Sequence, residues 1–453
     1  MKTLICCALL LAVGSGVGAE AGLVSPHIRS GLGLTAQGGA VVVAPGECEV
    51  QGKLVRVAQP VTLAVAPSPI LVAAQDAPYR LSADKPQGFA KGTRLAGLSA
   101  RDVNACGSLL PDSVEVRRAS DGRLLKLGED YLLDGAWGHL GIGPHSCVTT
   151  TEPVRATYRY ALLRMDTIQL APDGKVSLKA GTPHISAPVP PEADAGCLAL
   201  AHVFVNYRDT SVHQHQLYPI AETAAQALTA TTPGRVPKAL AKLKSGAPLR
   251  IVCWGDSVTA GGNASTPDKR YVDVFLAGLR ERFPQAQLVA TNISAGGSNS
   301  RQWLFPEKNP YRTLKGAASP CQFQRILDFR PDLVTIEFVN DAGMSPAQVE
   351  ETYSDILRRL QPLGTEVILI TPHYTMLKMM GFANQTGQDR RPYVLALRKF
   401  AGEHQIGLVD ASARWEHLWK EGLPYLTLLH NTINHPDDRG HRLFAEELWK
   451  CFQ

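Results

Sequence analysis

Long hydrophobic runs are what this sequence has least of. The one conspicuous apolar stretch, Leu4 to Val13, is too short to cross a bilayer, and no later segment is longer, so no membrane span is expected. Charge is sparse and nearly balanced: 19% of residues are charged, and the formal net charge is +5 over 453 residues. No Lys/Arg cluster or basic helix stands out, which argues against a nucleic-acid face. No Cys-x-x-Cys or mixed Cys/His spacing suggests zinc, and nothing else in the sequence calls for a metal or an organic cofactor. The His213-Gln214-His215 pair reads as incidental rather than as a metal site.

What is present begins at the N-terminus. Lys2, the apolar Leu4 to Val13 and the small residues Val17-Gly18-Ala19 follow the order of a signal peptide, with cleavage after Ala19. Residues 1–19 are therefore read as a signal peptide and the protein as secreted or periplasmic. Of nine cysteines, Cys6 and Cys7 lie in that segment. The other seven are an odd number, so at least one stays unpaired. Cys48, Cys106, Cys147 and Cys197 are expected to allow two disulfides in an exported chain. Cys253 reads as a buried thiol.

A 453-residue chain with 45% hydrophobic residues suggests more than one globular domain. Residues 31–207 read as short strands separated by Pro and Gly, an all-β, sandwich-like accessory domain. Within it, Ser120-Asp121-Gly122 and Pro172-Asp173-Gly174 each mark an expected hairpin. Residues 208–247 form an alanine-rich connector expected to be helical, broken at Pro233-Gly234.

From 248 to 453 the rhythm changes. Apolar runs at Leu249 to Trp254, Gln287 to Asn292, Asp332 to Phe338, Glu366 to Thr371 and Ile406 to Asp410 alternate with segments of helical spacing. That pattern predicts an α/β domain, a parallel sheet covered on both faces. In such sheets the site lies beyond the carboxyl ends of the strands. Ser257, Gly297, Asn340 and Pro372-His373 each follow a predicted strand closely.

A serine hydroxyl needs a base beside it and donors for a developing oxyanion. Taken singly, Gly255-Asp256-Ser257 is a turn with a cap, Gly296-Gly297 a tight turn, and His435-Pro436 a loop. Their order and separation carry the signal. Residues 251–259 around Ser257, 292–298 around Gly297, 334–341 around Asn340 and 434–441 around His435 resemble the four blocks of the SGNH (GDSL-type) hydrolases.

The resemblance implies a three-layer α/β/α fold, with Ser257 as nucleophile and His435 as base. It also implies an oxyanion hole from the N–H groups of Ser257 and Gly297 with the Asn340 amide. Asp256 and Asp341 read as supporting residues. Two positions depart from the family. Phe338 stands where the third block begins with glycine, which would narrow the pocket or alter the turn. Thr432 stands where an aspartate would orient the base. That leaves a Ser–His dyad helped by a carbonyl or an acid from elsewhere, with Asp410 and Asp437 as candidates.

The function implied is hydrolysis of acyl esters, acetyl above all, on carbohydrate. Gly296 to Arg301 resembles the second block of the pectin- and rhamnogalacturonan-acetylesterase branch. The alternative is an inactive carbohydrate- or surface-binding protein with the same fold. Trp137, Tyr131, Tyr158 and Tyr160 are candidates for stacking on a sugar, and His373 for the pocket wall.

Overall fold

The segment Leu249-Arg250-Ile251-Val252-Cys253-Trp254 is nearly continuously apolar, as a strand covered on both faces must be. In the computed structural model, which describes residues 27–76, 78–227, 229–311 and 318–453, it forms strand Pro248–Gly255 at the heart of a five-stranded sheet. Parallel neighbours are Gln287–Ser294 on one side and Leu333–Glu337 on the other, followed by Glu366–Ile370 and Gly407–Val409. All five coincide with the predicted runs to within two residues. The segment read as a signal peptide lies outside the described residues.

Successive side chains of a strand point to opposite faces, and two cores result. Val252 and Trp254 enter one, with Tyr353, Val394 and Phe400 from helices Pro346–Leu360 and Pro392–Glu403. Ile251 and Cys253 enter the other, with Phe275 and Leu279 of Tyr271–Arg282 and Phe444 and Leu448 of Asp438–Lys450. This is the three-layer α/β/α arrangement. Counting strands along the chain, their spatial order is 2-1-3-4-5, so the connections reverse direction at the first strand. The crevice beyond the ends of strands one and three is where a doubly wound sheet binds ligands. Asp256-Ser257 and Asn340 follow those two strands.

The N-terminal part is mostly antiparallel β-sheet, and most of its buried side chains gather in two cores. One core joins Val41, Val43 and Val55 to Ile168, Leu200 and Val203. The other has its buried residues between Tyr79 and Tyr158 in the chain, including Leu98, Leu109 and Val154.

Four expectations need correction. Ser120-Asp121-Gly122 makes a tight turn with a single bridge, Arg117 to Leu124, because strand Leu109–Arg118 pairs mainly with Pro153–Ala161. The hairpin around Pro172-Asp173-Gly174 does form, pairing Arg164–Leu170 with Val176–Lys179. Among the described residues of the connector, only two three-residue turns, Gln214–Gln216 and Ala224–Gln226, and helix Pro237–Ser245 are helical. Before that helix, Thr231 and Thr232 hydrogen-bond to Leu408 and Asp410, covering the open edge of the last strand. Satisfying an exposed sheet edge outweighs alanine's helix propensity there. All seven cysteines outside residues 1–26 are free, so the two expected bridges do not form. Tyr131 and Tyr158 are core residues, and Trp137 is nearly buried, so they offer no exposed sugar platform.

Candidate active site

Ser257 sits in the turn that leaves the first strand of the parallel sheet, its position fixed from below by Asp256. That carboxylate is fully buried and accepts N–H bonds from Val258 at 3.0 Å and from the Asn340 backbone at 3.0 Å. It accepts a third from the Asn340 side-chain amide at 2.8 Å. One side chain thus ties together the loops after strands one and three.

His435 arrives from the opposite side, on a loop organised by Asn431. The Asn431 side-chain oxygen accepts from the backbone N–H groups of Ile433, Asn434 and His435, at 2.8 to 3.0 Å. His435 Nε2 stands 2.8 Å from Ser257 Oγ. Gly262 lies against the ring, where a Cβ would come within 3.1 Å of Cγ and Nδ1. Any larger residue would push the imidazole away.

On the side expected to receive an oxyanion, Gly297 takes φ +73°, a conformation that favours glycine. Among the described residues, neither the Gly297 nor the Ser257 N–H has a protein acceptor. The Asn340 amide is differently placed. Besides its bond to Asp256 it donates to the Ser298 carbonyl at 3.1 Å, so both of its protons are engaged. Phe338 points into the core, with its ring centroid 5.0 Å from that of Trp254, and leaves the pocket untouched.

Three carboxyls are buried beneath this floor. Burial pushes Asp256 up to about 7, against the pull of the Val258 and Asn340 N–H groups, with Asp341 repulsion adding to the rise. Burial raises Asp341 to about 6, opposed by its bonds from Ser300 and Tyr353. Glu337 is raised well above the usual range, by burial first and the neighbouring Asp256 second. Asp256 has three N–H donors, whereas Glu337 has one hydroxyl partner, Thr259, and an orphaned Oε1. Donors hold a carboxylate ionised, so the proton of this pair resides on Glu337.

The other predicted histidines lie off the pocket. His373 is fully buried, bonds through Nε2 to the Asn434 carbonyl at 2.7 Å, and is driven by burial down to about 3. It supports the His435 loop as a neutral ring and is not pocket wall. His441 bonds to the Gly262 carbonyl at 3.1 Å and is likewise lowered by burial, to about 4.

Neither candidate acid is directed to His435. Asp410 pairs with Arg398 and caps a helix, and Asp437 pairs with Arg439 and caps the last helix. The carboxylate that faces the ring is Asp102, from the β-rich part, with Oδ2 3.2 Å from His435 Nδ1. The approach is close, though not aligned as a hydrogen bond. No sequence motif marks Asp102. The only hint was negative, the threonine at 432.

Together these groups line a cavity of about 680 Å³, to which the β-rich part contributes Phe89, Asp102 and Val103. Phe89 and Met379 are exposed apolar side chains of its lining. Among the described residues no cluster of His, Cys, Asp and Glu suited to a metal ion is found.

Residues 253–443 match the model of the GDSL-like lipase/acylhydrolase family. Residues 126–230 match a domain of unknown function, DUF4815. No curated protein sequence matches the chain. Among solved structures, a two-domain esterase active on acetylated mannans aligns at 21% identity, covering 49% of this chain and 53% of that one, TM-score 0.38. The chain thus spans about half the length of that protein. An acetyl xylan esterase variant from Geobacillus stearothermophilus aligns at 19% identity, over 49% of this chain and 97% of that one, TM-score 0.35. A hydrolase from the metagenome of Lake Arreo, Spain, aligns at 20% identity, over 45% and 96%, TM-score 0.34.

Proposed function

The C-terminal domain belongs to the GDSL-like lipase/acylhydrolase family, and on that premise we propose that this protein is a serine esterase that removes small acyl groups, acetyl foremost, from carbohydrate. The observation that carries the reading is the 2.8 Å contact of His435 Nε2 with Ser257 Oγ, beside two unengaged backbone N–H groups.

In this mechanism Ser257 Oγ attacks the ester carbonyl carbon while its proton passes to His435 Nε2. Negative charge moves to the carbonyl oxygen, where the Ser257 and Gly297 N–H groups receive it. Asn340 adds its amide by sharing a proton now given to Asp256 or Ser298. The tetrahedral intermediate collapses, the bond to the alcohol breaks, and His435 returns its proton to the leaving oxygen. Water, deprotonated by the same imidazole, then releases the acid and restores Ser257.

Carbohydrate as the alcohol partner is supported by the open, mixed-character cavity and by the resemblance of residues 296–301 to the pectin- and rhamnogalacturonan-acetylesterase branch. Export, read from residues 1–19, would place the enzyme with such polymers. No helix among the described residues is long and apolar enough to cross a membrane. The reading as an inactive binding protein leaned on the missing aspartate at 432, and Asp102 beside His435 weakens that support.

The test is hydrolysis of p-nitrophenyl acetate, acetylated xylan and acetylated pectin by the mature protein, with Ser257→Ala and His435→Ala alongside. Acetate release that both substitutions abolish is expected. A folded wild type no faster than the variants on every ester would turn the assignment to the binding protein.

A further inference from the structure

Asp102 occupies the tip of a short hairpin between strands Ser99–Ala100 and Val103–Asn104 of the β-rich part, a turn that places Arg101 at φ +65°. The hairpin is fastened from behind. The Asn104 side-chain amide donates to the carbonyls of Trp137 at 3.0 Å and Gly138 at 3.2 Å. An Arg94 guanidinium N–H reaches the Asp102 carbonyl at 2.5 Å. Val103 packs with Trp137 and with Ile433, which belongs to the His435 loop. The carboxylate therefore projects from a fixed base, and both partners it meets lie in the other domain. Oδ1 accepts from the Asn263 side-chain amide at 3.0 Å, and Oδ2 faces His435 Nδ1 at 3.2 Å. Partial burial raises the acid, but the His435 ring and the Asn263 amide more than reverse this and hold it at about 2.

Position 432 supplies an independent observation. Thr432, where the family pattern calls for an aspartate, has φ +59°, an unfavourable conformation for a β-branched residue. Its hydroxyl accepts the N–H of Cys106 at 3.4 Å, just beyond the hairpin. The site of the expected acid is thus a docking point for the segment that carries another acid in.

We propose that Asp102 is the positioning carboxylate of His435, so that the active site is shared between the two parts of the chain and is complete only when the β-rich part is docked. This rests on the reading of Ser257 and His435 as an ester-hydrolysing pair. Asp102 accepts a hydrogen bond from Nδ1–H, which keeps the proton on Nδ1 and leaves the Nε2 lone pair directed at the Ser257 hydroxyl. When that hydroxyl proton moves to Nε2, the positive imidazolium faces the carboxylate, and Asp102 stays ionised throughout. The present misalignment is of the kind that tightens when substrate closes a site.

The experiment uses the full mature chain and compares wild type with Asp102→Asn, Asp102→Glu and Asn263→Ala on p-nitrophenyl acetate, with melting temperatures recorded. The rate at which a fluorophosphonate labels Ser257 is read for each. Asp102→Asn should lower kcat on the order of 10³- to 10⁴-fold with little change in KM, and slow labelling in parallel. Asp102→Glu should recover part of the loss. Asn263→Ala, which removes an interdomain bond but keeps the carboxylate, should lose far less. A folded Asp102→Asn within about threefold of wild type in kcat and labelling would overturn the proposal. So would equal losses in Asp102→Asn and Asn263→Ala, because docking alone would then be the role. If Asp102→Asn melts early, labelling well below its melting temperature gives the same comparison. An inactive wild type would instead mark failure of the ester-hydrolase reading.

Discussion

Asn340 has more than one task at the residue scale. Its amide is the proposed side-chain donor to the oxyanion, yet in the resting site its protons go to Asp256 and the Ser298 carbonyl. Asn340→Ala should lower kcat by about 10²–10³-fold, the loss typical of one oxyanion donor, and steady-state kinetics on p-nitrophenyl acetate will check it. An unchanged kcat would leave Asn340 only its clamp on Asp256. The buried carboxyls have a different signature. Asp341, held up to about 6, keeps its proton in the folded state at pH values where the unfolded chain has lost it. Such a group stabilises the fold on the acid side, and that contribution disappears as pH rises from about 4 through 6. Urea melts at pH 5 and pH 8 should therefore differ less in Asp341→Asn than in wild type, by about 1.4 kcal/mol. Equal differences would mean that Asp341 does not titrate in this window.

At the scale of elements, loops carry the chemistry and single polar side chains shape them. Asn431 accepts three consecutive backbone N–H groups and so sets the course of the chain into His435. Asn431→Ala leaves those donors without an acceptor and lets the imidazole drift. Turnover should drop by about 10²-fold, as displacements near 1 Å can cause. Asn431→Asp, which keeps the acceptor, should retain most of the activity, and parallel kcat measurements will tell. The His435 loop illustrates what a sequence reading reaches. Asn434-His435-Pro436 was recognisable as part of a block, whereas no pattern in the sequence marks Asn431. Its role depends on a backbone curl that no residue spacing announces.

On the scale of the whole molecule, the β-rich part forms one wall of the cavity through Phe89, Asp102 and Val103. The parts meet in a small apolar cluster of Val103, Trp137 and Ile433, joined at its edge by Cys106 and Met376. Trp137→Ala should destabilise the protein by about 3 kcal/mol, in the range for emptying a large buried side chain. Because the cluster backs both the Asp102 hairpin and the His435 loop, esterase activity should fall at temperatures where the variant is still folded. Urea denaturation and turnover measured on the same sample will separate the effects. Activity that follows the folded fraction alone would argue against coupling across this contact.

The five parallel strands were legible in the sequence because a strand buried on both faces must be apolar along its whole length, and helices covering it must repeat apolar residues at helical spacing. Ser257, Gly297, Asn340 and His435 were legible for a related reason: each lies within a few residues of a recognisable local pattern. What packs against what over long separations was not. The division of the β-rich part into two cores, the connector's choice of sheet edge over helix, and the thiols left unbridged all follow from tertiary neighbours. Asp102 is the plainest case. It is 333 residues from His435 in sequence, and only the docking of one domain on the other brings its carboxylate to 3.2 Å from the ring.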